Sequence, residues 1–137
     1  NEDRRLVIEE KDTAVDGVID YRVGYAYDGA GNLVTESIDD DGDGAADTLI
    51  HRHYGGQGLL SEETDSYADG TIDRIAYYGH DEAGRLATVE VDKGADGDID
   101  SFDWYDYDER GGLYSIWNDL DGDGHVDTAR YYQGTCP

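Results

Sequence analysis

Leu33-Val34-Thr35-Glu36-Ser37-Ile38 runs into Asp39-Asp40-Asp41-Gly42-Asp43-Gly44-Ala45-Ala46, and that into Asp47-Thr48-Leu49-Ile50-His51-Arg52-His53-Tyr54. A short β-prone run, an Asp/Gly loop and a second run of β-formers describe a β-hairpin. The unit recurs. Gly-x-x-Asp stands at residues 17–20, 44–47, 70–73, 97–100 and 124–127, with Gly-to-Gly intervals of 27, 26, 27 and 27. An Asp precedes each of these glycines, another Asp lies four residues before that one, and a Leu (Leu6, Leu33, Leu59, Leu86, Leu113) lies eleven residues before the Gly. The short interval lacks one residue between Gly58 and Leu59, a change that a surface turn tolerates. Self-similarity at a fixed period is the signature of a repeat architecture. The Gly spacing leaves no stretch of ordinary helical length. The expected fold is all-β: a tandem array of five ~27-residue β-hairpin repeats (about 4–30, 31–57, 58–83, 84–110 and 111–137) forming one elongated antiparallel meander or solenoid over residues 1–137.

Composition agrees with a thin structure. Leu, Ile, Val and Phe total 25 of 137 residues, whereas Tyr alone contributes 12. So sparse an apolar content with a net charge of −24 is usually the mark of disorder, so something other than a large core must order the chain. Cys136 is the sole cysteine, which excludes an internal disulfide and leaves a free thiol or an intermolecular bridge. The aromatic pairs Tyr77/Tyr78, Trp104/Tyr105 and Tyr131/Tyr132 recur in the second run of a repeat. Neighbours on a strand point to opposite faces, so stacked aromatic ladders are expected on both.

The charge excludes nucleic acid and argues against an anionic membrane surface. No apolar run approaches the roughly 20 residues of a membrane span. The first five residues are polar or charged, so no signal peptide is read there and the chain reads as cytoplasmic or as the mature form of an exported protein.

Two loops read Asp-x-Asp-x-Asp-Gly-x-x-Asp: Asp39, Asp41, Asp43 and Asp47, and Asp119, Asp121, Asp123 and Asp127. Calcium takes six to eight oxygens, mostly carboxylate and carbonyl. Carboxylates at loop positions 1, 3, 5 and 9, with the backbone carbonyl of position 7 (Ala45 or His125), can converge on one Ca²⁺. Magnesium holds its waters too firmly to favour such a cage, and zinc prefers nitrogen and sulfur. Three other loops keep positions 1, 5 and 9 but lose position 3: Asp12, Asp16 and Asp20; Asp65, Asp69 and Asp73; Asp92, Asp96 and Asp100. These are expected to be weaker calcium sites.

The loop at 119–127 resembles the calcium-binding hairpin loops of FG-GAP/VCBS repeats, as in integrin α-subunit propellers. Tyr27-Asp28-x-x-Gly31-x-Leu33 and Tyr107-Asp108-x-x-Gly111-x-Leu113 resemble bacterial YD (RHS-type) repeats. Together they are similar to Asp-rich repeats of secreted bacterial surface proteins. The propeller itself does not carry over, because a four-stranded blade needs about 40–50 residues.

Other candidates are weaker. His51 and His53 share a strand face but have no third ligand, and His80 stands where other copies carry Tyr. The acidic pairs recur in every copy, whereas a catalytic site breaks a repeat, and no nucleophile–base pair or phosphate loop is present. The chain is not expected to be an enzyme. Trp104 and Trp117 can be a sugar-stacking platform or part of the aromatic framework. The sequence thus points to an extracellular or cell-surface calcium-binding protein of structural role. Self-association into a filament through open strand edges is one partner expectation, with no nucleic acid and no membrane insertion. The alternative is a monomeric adhesion module that recognises a glycan or protein through an aromatic face.

Overall fold

The computed structural model describes residues 6–132; Cys136 and the polar first five residues lie outside them. Ten strands follow one another: β1 (Leu6–Lys11), β2 (Tyr21–Tyr27), β3 (Leu33–Asp39), β4 (Thr48–Gly55), β5 (Gly58–Asp65), β6 (Arg74–His80), β7 (Leu86–Lys93), β8 (Ser101–Tyr107), β9 (Leu113–Asp119) and β10 (Thr128–Tyr131). They form a single antiparallel meander in chain order, and the sheet is not closed. No helix occurs among the described residues, so none is long and apolar enough to cross a membrane.

Two kinds of connection alternate. The nine-residue Asp/Gly loops follow the odd-numbered strands and therefore all lie at one edge of the sheet; short turns follow β2, β4, β6 and β8 at the other. Three of the turns are built alike. Asp28, Asp81 and Asp108 each accept, through Oδ1, the N–H groups two and four residues on, all at 2.8–2.9 Å. This is the Asx chemistry that makes Asp a turn residue. The shortened copy replaces it with Gly55-Gly56-Gln57-Gly58, where Gly55 and Gly58 pair directly and two residues close the hairpin.

A register shift precedes each short turn, at Ala26/Tyr27, His53/Tyr54, Gly79/His80 and Asp106/Tyr107. Such a bulge re-aims the residue beside it. At two of the four places the Tyr reaches back over the sheet: Tyr54 Oη donates to the Leu33 carbonyl at 3.0 Å and Tyr107 Oη to the Leu86 carbonyl at 2.7 Å. Each such Tyr is thus hydrogen-bonded to the opening Leu of its own repeat on the adjacent strand, a tie that the sequence motif alone did not show.

The sheet is one layer thick. Val23 and Ala76 are the only buried apolar residues among those described, and both lie on the same face. That face also carries an ion-pair row over β3–β6. Arg52 donates to Glu62 at 2.8 Å and through both terminal nitrogens to Glu36 at 3.1 Å, and Arg74 approaches Glu62 at 3.8 Å.

The expected aromatic ladders do not form among the described residues. Equivalent positions in successive copies are two strands apart, about 10 Å, with another strand between them. Rings touch at the C-terminal end instead, within and between neighbouring strands: Phe102–Trp104 at 4.1 Å, Trp117–Tyr131 at 5.5 Å and Tyr114–Tyr131 at 6.4 Å. Removing one hydroxyl tests the tyrosine tie. Tyr107→Phe is expected to lower stability by about 1 kcal/mol, the usual net worth of a hydrogen bond, with no change in β-type circular dichroism; urea unfolding at fixed calcium measures it.

Candidate metal centre

Each Asp/Gly loop is organised around its first Asp. Asp39 accepts the N–H of Gly42 on one oxygen (2.7 Å) and of Gly44 on the other (3.0 Å). Asp119 accepts Gly122 (2.7 Å) and Gly124 (2.9 Å) in the same way. In the reduced loops Asp65 accepts Gly70 at 2.7 Å, Asp92 accepts Gly97 at 3.0 Å and Asp12 accepts Gly17 at 2.8 Å. Asp39, Asp65, Asp92 and Asp119 are among the most buried side chains described, each at most 4% exposed. Backbone N–H groups of their own loops enclose them, and Arg22 Nη1 on the adjacent strand lies 3.9 Å from Asp39 Oδ2.

The last Asp closes the loop. Asp47 N–H donates to the Ile38 carbonyl (2.7 Å) while Asp47 Oδ2 accepts the Asp40 N–H (2.7 Å). Asp127 repeats this with Asn118 and Leu120, and Asp20, Asp73 and Asp100 close the reduced loops likewise. The middle Asp caps the next turn: Asp16, Asp43, Asp69, Asp96 and Asp123 each accept the N–H two residues on.

These bonds favour the ionised form. Burial pushes the Asp65 carboxyl up, but the N–H groups of Gly70, Asp69, Tyr67 and Ala68 outweigh it and hold the group below the ordinary carboxylate range. Asp119 behaves alike, with Gly124, Gly122, Asp121 and Asp123 prevailing over burial. The Thr13 hydroxyl, aided by the backbone N–H groups of Thr13 and Ala14, lowers Asp20.

Carboxylates converge in the two full loops. Asp39, Asp41 and Asp43 place one oxygen each within 4.8 Å of one another, and so do Asp119, Asp121 and Asp127. Two oxygens on opposite sides of a calcium ion stand roughly 5 Å apart, given metal–oxygen distances of 2.3–2.6 Å, so each trio can share one ion. The trios differ. Asp47 stands outside the first, and Asp123 outside the second, where its Oδ1 accepts the His125 N–H at 2.8 Å and lies 3.1 Å from His125 Nδ1. Ala45 and His125, the expected carbonyl donors, belong to the exposed rim. The reduced loops bring no three carboxylate oxygens of different residues together. The position-3 Asp is the donor that completes the group, and there Ala14, Tyr67 and Gly94 replace it.

Loop position 4 supplies a signal that sequence reading missed. It has positive φ in all five loops: Val15 (56°), Gly42 (75°), Ala68 (48°), Ala95 (51°) and Gly122 (71°). The two full loops, and only they, use the residue that tolerates this conformation. In both, the glycine also packs on the preceding loop. A Cβ on Gly42 would meet the Ile19 carbonyl oxygen at 1.9 Å, and one on Gly122 the Ile99 carbonyl oxygen at 2.2 Å. Successive loops therefore touch along the acidic edge, and Gly94 N–H donates to the Asp73 carbonyl across another such junction. The edge is dense in charge: the five loops hold three, five, three, four and four acidic side chains, nineteen of the chain's 34, against one Lys.

Position 4 gives a paired test. Gly122→Ala is expected to destabilise by about 1–3 kcal/mol, through strain and collision with backbone. Val15→Gly is expected to stabilise by about 1 kcal/mol, since a β-branched residue leaves a left-handed conformation and the exposed side chain gives up no packing. Thermal melts of both variants at equal calcium check the opposite signs. No family model matches the chain, and no curated protein matches its sequence.

Proposed function

We propose that the protein is an extracellular, calcium-binding β-repeat protein with a structural role at a cell surface, and that copies associate through the open edges of the sheet. The observation that carries the reading is the convergence of three carboxylate oxygens in each of the two Asp-x-Asp-x-Asp-Gly loops. The donor sets are all oxygen, as calcium prefers and zinc does not. Asp39, Asp41 and Asp43 would hold one ion and Asp119, Asp121 and Asp127 the other; each ion would supply charge neutralisation and a cross-link between loop segments. Extracellular calcium modules bind with Kd of about 10⁻⁴–10⁻³ M, a range suited to the millimolar calcium outside cells. The resemblance to calcium loops of surface repeat proteins supports the same location.

The five-repeat array is part of this reading. Loop edge, turn edge and ten strands in chain order repeat one hairpin plan, and among the described residues β1 and β10 are the outermost strands, each paired on one side. Unpaired edges template pairing with another chain. A second reading, adhesion to a glycan or protein, draws support from the gathering of Phe102, Trp104, Trp117 and Tyr131 on one face.

Calorimetric titration with calcium tests the proposal. The expected result is two equivalents bound tightest, one of them lost in Asp41→Asn and the other in Asp121→Asn, with each variant leaving the remaining site unchanged. No saturable heat, or a loss of both sites in either variant, would contradict it.

A further inference from the structure

The face of the sheet opposite Val23 and Ala76 has no second layer, and the molecule exposes 9102 Å², whereas a compact monomer of 15.1 kDa exposes about 7,100 Å². A sheet normally buries one face against another element. Side chains on this face change character along the molecule. On β2 and β3 it carries the small residues Gly24, Ala26, Thr35 and Ser37, which with Ile8 and Arg22 at the side line a shallow trough of about 250 Å³. Its C-terminal half carries Tyr77, Phe102, Trp104 and Trp117, with Trp104 and Trp117 directly paired across strands. The Trp117 indole N–H is already satisfied by Asp106 Oδ2 (2.8 Å) and Ser115 Oγ (3.0 Å), so the ring can enter an apolar contact without leaving a donor unpaired.

We propose that this face is a self-complementary interface that packs on the same face of a second copy, reversed end for end. The argument lies in one row of four directly paired couples on this face, Gly24/Ser37, His51/Glu63, Tyr77/Glu90 and Trp104/Trp117, a row oblique to the strands because Ser37 pairs with Leu49 and His51 with Thr35. A two-fold axis in the interface plane, perpendicular to the row, lays β2 over β9 and β3 over β8. Trp117 then meets Gly24 and Trp104 meets Ser37, two large rings entering the trough. The operation also lays β4 over β7 and β5 over β6, so that His51 faces Glu90 and the Tyr77 hydroxyl faces Glu63. Bulk meets space and donors meet carboxylates in every one of these pairs. The area suffices: nine strand spacings by seven residues is on the order of 1,000 Å², against about 800 Å² per partner in a standard interface. The arrangement is an aligned or crossed sheet sandwich whose second sheet is another molecule.

The same operation brings both acidic edges to one side, about 10 Å apart. Association therefore needs their charge reduced, either by calcium, as in the function proposed above, or by salt. The salt arm keeps the two readings separable, because the Debye length falls to about 3 Å at 1 M whether or not the loops bind calcium.

Cysteine pairing tests the geometry. In a Cys136→Ser background, His51→Cys and Glu90→Cys are made as separate proteins and mixed under mild oxidation, in calcium and in 1 M salt with chelator. His51 and Glu90 are three strands apart within one chain, beyond disulfide reach, so a bond reports contact between copies. The expected result is a covalent dimer in the mixture and not in either protein alone. Sedimentation should show a dimer that Trp104→Ala weakens at least tenfold and that Gly24→Trp abolishes. Cross-linking of either single protein with itself, a strictly monomeric species in both conditions, or a Trp104 that matters for glycan binding in a monomer would overturn the proposal.

Discussion

An ionised Asp at the head of a loop, receiving backbone N–H groups on both of its oxygens, is the interaction on which this molecule depends. A one-layer sheet cannot bury much, and Val23 and Ala76 are its only buried apolar residues among those described. The enclosed side chains are instead Asp39, Asp65, Asp92 and Asp119, with Ser115. No buried side-chain polar atom among the described residues lacks a partner. A charge with several hydrogen bonds is among the stronger polar contacts a protein makes, and each loop repeats it.

That solution creates its own difficulty. Because the sheet is a meander, every acidic loop falls on the same edge, and successive loops touch there, within the screening length of about 8 Å in physiological salt. Nineteen acidic side chains share this edge, and backbone N–H groups satisfy their hydrogen bonds without cancelling their charge. In the proposed function, divalent cations would relieve the repulsion where the oxygens converge. With Kd of about 10⁻⁴–10⁻³ M and roughly 1 mM calcium, two such sites would contribute about 1–3 kcal/mol, a substantial share of the stability of a small domain.

The strands were legible in the sequence because the Leu, Asp and Gly landmarks fix both ends of each run; the 33–38 run and the one ending at Tyr54 emerge as β3 and β4 with bounds shifted by a residue. The gathering of Asp41 and Asp121 with neighbouring carboxylates was legible too, since alternate carboxylates in a tight loop have few places to point. Three features were not. The split of the trios, Asp43 in one and Asp127 in the other, depends on side-chain torsions that spacing does not encode. The Tyr107 tie to Leu86 needs a bulge, which is visible only in the pairing register. The failure of the aromatic ladders was a matter of period: residues 27 apart share a face yet stand two strands apart, beyond ring contact.

Thermal unfolding in excess chelator, compared with millimolar calcium at the same ionic strength, tests the central claim most directly. The account predicts a sharply lower melting temperature without calcium, or a disordered far-UV signal from the outset, reversed when calcium is restored. Superimposable melting curves would show that backbone hydrogen bonds to the loop carboxylates suffice, and that the acidic edge needs no metal to hold the sheet.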